Sequence, residues 1–331
     1  MDKPERKTNK AAAQPRRASN SNPPPSRLMM EQMMRDIHRA MEGHEFATTE
    51  DANAFLATLT GPGLGRALQN AAPPSAKEQA QELAYRAMDA PSARQAKKLA
   101  QQALAKDPDC VDAIVVITDL EARTLEEVVA GLKKAVEAGE RSLGAEFFTE
   151  NKGYFWGLME TRPYMRARME LAELLPGTGR LSEAITHFEA LMELNPNDNQ
   201  GVRDVLLGCY LAGDNLDCAR RLLRDYREDA SAVFAWGRTL ERFLSGDQAA
   251  AQRELRQARK QNRFVELYLT MQRPLPTEMP EMYSPGSDEE AILCLNMLSG
   301  AWADHPLAAS WLWEQLGFRT RSSPPSQAKL F

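Results

Sequence analysis

The sequence predicts an all-α protein built from repeated pairs of helices, and three observations favour this class. From Lys77 onward, alanine, leucine, glutamate and arginine dominate, and runs of β-branched residues are few. Apolar residues recur at helical spacing. A pattern of small and large residues then returns at intervals of 32 to 35 residues, the sign of a helical-repeat array.

Charge divides the chain into a basic tail and an acidic body. The 331 residues include 41 Lys and Arg and 46 Asp and Glu, a net charge of −5. Residues 1–27 hold seven basic and two acidic side chains with five prolines, so they carry +5 and the body −10. This composition predicts a disordered tail over 1–27. The tail is either a passive solvated extension or an arm for acidic surfaces, and nucleic-acid binding is expected only through it.

Several classes are disfavoured by composition and by the cysteines. No stretch approaches 18 consecutive apolar residues, so we expect no membrane span. The N-terminus lacks the apolar segment of a secretory signal. The four cysteines are widely spaced and form no CxxC, which favours reduced thiols and a cytoplasmic location.

Residues 28–76 are predicted to form N-terminal helices and a linker. A helix over 28–42 places five apolar residues on one face: Met30, Met33, Met34, Ile37 and Met41. We expect this face to pack against the helices that follow; the alternative is an adaptable binding surface. Thr48 or Thr49 is suited to cap a second helix over Glu50–Leu59, before a linker at Gly61-Pro62-Gly63.

Residues 77–262 carry the repeat. Its clearest copy has Ala184, Phe188, Leu191 and Pro196, the spacing of the second helix of a tetratricopeptide repeat, after a turn that ends at Gly179. The same frame returns in three further copies, marked by Ala96, Ala100, Ala103 and Pro108, by Asp214 to Ala219, and by Ala251, Leu255 and Ala258. Residues 112–138 resemble another helix pair, with Thr124 as a cap. Small residues let paired helices approach closely, and neighbouring pairs must stack to bury their faces.

Four segments of the chain resemble one known family. They are Ala103–Cys110 continuing into Leu120–Glu127, Gly153–Trp156, Glu160–Ala167 and Leu194–Gly201. These stretches are similar to those of the suppressor-of-tumorigenicity-seven family of tetratricopeptide-like proteins, in particular its soluble bacterial members, over about residues 28–317. The resemblance implies a helical-repeat solenoid used as a scaffold, and it supplies no established catalytic residues.

An aromatic and arginine-rich insertion at 139–162 interrupts the repeat register and supplies the candidate binding site. The proposed partner-binding residues are Trp156, Glu160, Arg162, Tyr164 and Arg166. Aromatic and arginine side chains most often anchor interfaces, and arginines on a concave helical face hold a carboxylate or phosphate. The sequence therefore predicts a non-catalytic scaffold that binds a peptide or protein segment on its concave face. The alternative is that the segment is a structural plug between two repeat blocks.

A metal-dependent regulator or enzyme that uses His38, Glu42 and His44 is the second functional hypothesis. His38 and Glu42 stand four residues apart on one helix face, a spacing that chelates metals. The simpler interpretation is a solvated helix face. No catalytic triad or metal-ligand spacing occurs, so neither an enzyme nor a cofactor is predicted. His187 and His305 are expected at the surface.

Residues 263–318 leave the repeat and are predicted to cap it. Prolines 274, 276 and 280 mark an extended connector. Ser287 and Glu290 have the spacing of a capping box for a helix over Glu289–Trp302, and a last helix is expected over Leu307–Leu316. A cap shields the apolar outer face of the last repeat. Residues 319–331 are expected to be disordered.

Overall fold

The computed structural model describes residues 27–316, with side chains from Leu28 onward. Within this range the regular elements are seventeen α-helices and three short 3₁₀ helices, with no strand. The predicted all-α class is therefore confirmed. The tails expected at 1–27 and 319–331 lie outside the described residues, apart from Arg27, where the first helix begins. Two compact units divide between Ala71 and Ala72.

The N-terminal unit contains three helices: α1 (Arg27–Met41), α2 (Thr49–Thr58) and α3 (Pro62–Asn70). Thr48 caps α2 in a full capping box, because its hydroxyl accepts from the Asp51 amide at 3.1 Å and the Asp51 carboxylate accepts from the Thr48 amide at 3.2 Å. The predicted linker at residues 61–63 is wrong. Gly61 adopts a positive φ of 55°, and Pro62 begins α3. Proline is tolerated at this position because amide protons in the first turn of a helix have no acceptor within the helix.

Helix α1 packs against α3 and presents methionines outward. Met30, Met33 and Met34 are 46–50% exposed, so the expected packing is wrong for the first part of this face, whereas Ile37 and Met41 are half-buried. On the other side of the helix, Glu31 is only 6% exposed. The first half of α1 thus has the reverse polarity of an ordinary surface helix, whereas Ala40 in its second half is buried.

The C-terminal unit begins with five helix pairs that follow one another along the chain. Each pair consists of a first and a second helix joined by a short turn. The pairs are α4 (Ala76–Met88) with α5 (Ala93–Lys106), α6 (Val111–Glu121) with α7 (Leu125–Leu143), α9 (Arg162–Leu174) with α10 (Leu181–Leu194), α11 (Val202–Ala212) with α12 (Leu216–Asp225), and α13 (Ala232–Leu244) with α14 (Gln248–Gln261).

Contacts between the pairs follow a regular order. The two helices of each pair pack together, and each second helix packs on the first helix of the next pair. First helices also contact one another, α4 with α6, α6 with α9, and α11 with α13. Second helices of neighbouring pairs make at most marginal contact, as do α9 and α11, within the described chain. The first helices therefore form two stretches, α4–α6–α9 and α11–α13.

Burial explains the repeated small residues. The alanines that mark the second helices have no more than 8% exposure, and most have none: Ala96, Ala100, Ala103, Ala184, Ala219, Ala251 and Ala258. Phe188 and Leu191 are fully buried beside them. An alanine at a helix crossing lets two backbones approach, and a large side chain fills the space opposite.

The segment between α7 and α9 is shorter than the predicted insertion at 139–162. Helix α7 continues to Leu143, and α9 already begins at Arg162. Between them lie α8 (Ala145–Glu150) and two 3₁₀ turns at Phe155–Gly157 and Met159–Thr161. Another 3₁₀ turn, Pro176–Thr178, follows α9.

The C-terminal segment forms α15 (Val265–Leu269), α16 (Asp288–Asp304) and α17 (Pro306–Gln315). Helix α16 packs on α11 and α13 as well as on α15 and α17, so it covers the α11–α13 stretch. The expected cap would have shielded the last pair only. The close approach of α16 to α11 depends on Gly208 of α11, since a Cβ there would lie 2.1 Å from the carbonyl oxygen of Met297 in α16. Trp302 of α16 meets Trp236 of α13 edge to face, with ring centres 6.4 Å apart.

Candidate functional site

The aromatic residues of the predicted site form a core beneath α8. Phe155 has no exposed surface and Tyr164 has 1%. Their rings surround Phe148, whose centre lies 4.9 Å from that of Phe155 and 5.2 Å from that of Tyr164. Aromatic pairs in tilted and edge-on arrangements add stability beyond the area that they bury. Tyr164 is therefore not available to a partner.

Trp156 and Arg162 hold each other at the surface. The Arg162 Nε donates to the carbonyl oxygen of Trp156 at 3.1 Å. The guanidinium lies over the indole ring, 5.2 Å from its centre, a cation–π contact. Glu160, in the 3₁₀ turn between them, is exposed.

Arg166 is bound to a buried carboxylate. Its Nη2 donates to Oδ2 of Asp112 at 2.7 Å, and the Gln81 side-chain amide donates to the same oxygen at 2.6 Å. Asp112 is 2% exposed, and Arg166 is about one-third exposed. This contact neutralises the Arg166 charge inside the protein, so the guanidinium is not a free binding group for an acidic ligand.

Arg168, two residues further along α9, lines a groove of about 420 Å³ between α7, α8, α9 and α10. It donates to the Tyr164 hydroxyl and lies 3.6 Å from the Glu140 carboxylate. Burial raises the pKa of Tyr164, and the Arg168 charge lowers it in part. Burial, and then Arg168, lowers the pKa of His187 to about 4.

The five predicted residues are thus not gathered into one exposed binding site. Trp156 and Arg162 contact each other, Tyr164 lies in the aromatic core, and Arg166 serves an ion pair between helices. These contacts favour the alternative of a structural plug between two repeat blocks. The Asp112 partner of Arg166 and the Glu140 carboxylate beside Arg168 come from distant parts of the chain, which is why the sequence pattern did not reveal them.

A second surface, which we call the α4–α6–α9 face, is built by the first helices. Gln81, Asp112 and Arg166 lie in one hydrogen-bonded row across α4, α6 and α9. Residues three, four and seven positions later share the same side of each helix. Helical spacing therefore places Val115 and Asp119 of α6 on this face.

The same spacing from Arg166 places Met169, Glu170 and Glu173 of α9 on this face. Val115 and Met169 are half-buried, whereas Asp119 and Glu173 are exposed. The face has an apolar centre bordered by carboxylates.

The three carboxylates of this face lack a cation. Asp119, Glu170 and Glu173 make no hydrogen bond or ion pair with the described residues. Burial raises the pKa of Glu170, and the charges of Asp119 and Glu173 raise it further. Asp119 and Glu173 keep part of their surface in solvent, and the partial burial of their carboxyl groups raises the pKa of each. Acids seven residues after Asp112 and after Arg166 could have been found in the sequence once the repeats were aligned.

The other stretch of first helices, α11–α13, is already occupied by α16. Leu295, Leu298 and Trp302 of α16 are each at most 3% exposed. The Nε2 atom of His305, just beyond α16, lies 2.8 Å from the carbonyl oxygen of Leu211 at the end of α11. Among the described first helices, α4, α6 and α9 are therefore the ones that α16 does not cover.

The structure gives no support to the metal alternative at His38, Glu42 and His44. The His44 ring packs on Phe55 with ring centres 4.5 Å apart. Across residues 27–316, no group of three or more histidine, cysteine, aspartate or glutamate side chains is arranged to hold a metal ion.

The two remaining histidines are not surface residues as expected. Side chains of His187 and His305 are 17% and 14% exposed, because each lies between packed helices. Their sequence neighbours alone could not show this.

Comparisons with models of known protein families, with curated proteins and with solved structures find no match to this chain. In the part of the chain that the structure describes, no helix has both the length and the apolar character needed to cross a bilayer.

Proposed function

We propose that the chain is a non-catalytic scaffold with a tetratricopeptide-like solenoid, and that its α4–α6–α9 face binds a basic segment of a peptide or protein partner. The expected resemblance to the suppressor-of-tumorigenicity-seven family agrees with such a scaffold. A cytoplasmic location fits the unbridged state of Cys110, Cys209, Cys218 and Cys294.

The packing order of the helices supports the solenoid. Five successive pairs each contact the next, as repeat units do. First helices touch within α4–α6–α9 and within α11–α13, whereas second helices of neighbouring pairs are at most in marginal contact. In a curved stack the inner layer is the more crowded, so the first helices form the concave side.

The uncompensated carboxylates are the observation that carries the proposed ligand chemistry. Asp119, Glu170 and Glu173 share one face, and their pKa values are raised because burial disfavours their negative charge. A lysine or arginine between them would relieve this cost. The half-buried Val115 and Met169 offer apolar contact for the methylene stem of such a side chain.

A peptide-library selection against the immobilised full chain tests the proposal. We expect enriched peptides with lysine or arginine next to apolar residues. The variant D119N/E170Q/E173Q removes three charges at constant shape and should weaken binding of these peptides at least about tenfold. A matched control, E137Q/E146Q/E150Q, removes three exposed charges from α7 and α8 and should bind like the wild type.

Two results would overturn the proposal. One is a selection that enriches no basic peptides. The other is equal peptide affinity for D119N/E170Q/E173Q and the wild type, when circular dichroism shows the same helix content. The variant R162A serves as a further check, because Arg162 contacts Trp156 and should leave peptide binding unchanged.

A further inference from the structure

The groove of about 420 Å³ between α7, α8, α9 and α10 combines apolar walls with charged side chains. The apolar walls are Ala145 and Phe148 of α8 and Ala190 and Leu194 of α10. The ring of Phe148 is half-buried, so the groove has an aromatic wall. Apolar walls of this extent around a few polar groups are typical of sites for small molecules.

The guanidinium of Arg168 brings a positive charge into this groove. The Arg168 side chain is 14% exposed. Its Nη1 atom donates to the Tyr164 hydroxyl, whereas its Nε atom is buried and donates to none of the described residues. An oxygen of the Glu140 carboxylate lies 3.6 Å from Nη1, outside hydrogen-bond distance. A largely buried cation without a hydrogen-bonded carboxylate is costly, because the charge has lost most of its water.

A comparison with Arg166 shows that this state is particular to Arg168. Arg166 is about one-third exposed, and its guanidinium donates to the buried Asp112 carboxylate at 2.7 Å. Arg168 follows two residues later and therefore lies on another side of α9. It is the less exposed of the two arginines, yet its hydrogen bond goes to a neutral hydroxyl.

Two glutamates border the groove without fully compensating Arg168. Glu193 lies 2.6 Å from the Lys152 ammonium, so this pair adds little net charge. Glu140 is half exposed and accepts from the Tyr164 hydroxyl at 3.4 Å. Exposure to solvent weakens the attraction between Glu140 and Arg168. An anion inside the groove would be shielded from water and would compensate the guanidinium more completely.

We propose that this groove binds a small organic acid. The acid places its carboxylate on the guanidinium of Arg168 and its apolar body against Phe148 and Leu194. A planar guanidinium offers parallel N–H donors that match the two oxygens of a carboxylate. A cationic ligand would suit the glutamates, but it would lie beside Arg168, and like charges repel. The inference is independent of the peptide-binding function proposed for the α4–α6–α9 face.

Isothermal titration calorimetry of the full chain tests the proposal with three acids of increasing apolar body: acetate, isovalerate and 3-phenylpropionate. Each acid is compared with its uncharged amide, which has nearly the same shape. We expect affinity to rise with the size of the body. The phenylpropionate should bind at least about tenfold more tightly than its amide, because hydrogen bonds to charged groups are the stronger ones.

Two variants assign the binding to the groove. R168Q removes the cation and should weaken binding of 3-phenylpropionate at least about tenfold. E140Q removes the competing carboxylate at an exposed position, so it should keep the fold and bind the acid severalfold more tightly. The matched control is R180Q, because Arg180 is also partly buried and pairs with Glu126 but does not line the groove. It should bind like the wild type.

Three results would overturn the proposal. The first is that none of the acids binds more tightly than its amide. The second is equal affinity of the wild type and R168Q for 3-phenylpropionate, when circular dichroism shows the same helix content. The third is that E140Q binds the acid no more tightly than the wild type, an outcome that does not depend on the stability of R168Q.

Discussion

The contact between α11 and α16 depends on one glycine, and replacing it is a direct test of the packing. A Cβ atom at Gly208 would lie 2.1 Å from the carbonyl oxygen of Met297 and 3.2 Å from its carbonyl carbon. Non-bonded carbon atoms prefer separations of about 3.5–4.0 Å. The obstructing atoms are backbone, so the substitution G208A requires α16 to move away from α11 by about 1 Å.

The expected magnitude follows from two opposing effects. Overpacking of this kind costs about 1–3 kcal/mol. Alanine in place of glycine inside a helix returns up to about 1 kcal/mol. We therefore expect G208A to lower the free energy of unfolding by up to about 2 kcal/mol, with a fall in Tm of up to roughly 8 °C for a unit of this size.

Urea unfolding followed by tryptophan fluorescence measures the effect, because Trp236 and Trp302 meet across the same packing. The control is G300A, in the same helix α16. A Cβ at Gly300 meets no atom within 4 Å, so this variant should be as stable as the wild type or up to about 1 kcal/mol more stable. If G208A matches G300A in stability, and amide exchange in α16 is unchanged, the argument from close approach is wrong.

Three further predictions concern buried charges. R166A removes the cation from the buried Asp112 carboxylate and should lower the free energy of unfolding by about 1–3 kcal/mol in urea titrations, whereas D112A/R166A should recover part of the loss. Burial, and then the charge of Arg168, lowers the pKa of His187 to about 4. As the pH drops from 6.5 towards 4, the unfolded chain therefore binds a proton at this histidine before the folded protein does, and Tm should fall. The variant H187Q should flatten this pH dependence of Tm. Burial raises the pKa of Asp204 to about 6, so D204N should raise Tm at pH 7, with a gain that fades as the pH falls below 6 towards 4.

Each of these predictions has a contradicting result. Additive losses in R166A and D112A would show that the two side chains do not interact. An H187Q profile parallel to the wild type between pH 4 and 6.5 would show that His187 is not buried in its neutral form. A lower Tm for D204N at pH 7 would show that the carboxylate has a stabilising partner.

The sequence predicted the helices well because helix signals are local. The predicted helix over 28–42 is Arg27–Met41, and the predicted helix over 289–302 is Asp288–Asp304. Thr124 and Ser287 cap their helices as expected, since each hydroxyl accepts from an amide three residues later.

Contacts between distant residues were not accessible to the same reasoning. Glu290 was expected to close a capping box with Ser287. Instead its buried carboxylate accepts from the amides of Ala232 and Gly286 and from the Asn262 side chain, at 2.6–3.1 Å. Its local spacing fits a cap, but its role depends on residues up to 58 positions away. The placement of α16 on α11 and α13 has the same cause.

In the candidate site too, the sequence showed local signals but not contacts between distant residues. Composition drew attention to Arg162 and Arg166 because arginines beside aromatic residues are common in interfaces. Their availability depends on partners elsewhere, and the partner of Arg166 lies 54 positions away. An alignment of the repeats could have paired Asp119 with Glu173, but the contact between Arg166 and Asp112 is what places them on one face.

The packing of α16 on α11 also determines when the C-terminal half can finish folding during synthesis. Met297 follows Gly208 by 89 residues. The apolar side of α11 therefore stays uncovered until α16 leaves the ribosome, roughly 4–18 s later. A simple repeat array grows from neighbour to neighbour and tolerates loss of its last units. Here the C-terminal half completes its packing only after its final helices are synthesised. A nascent chain that stops before α16 would expose the apolar side of α11 and α13 to chaperones.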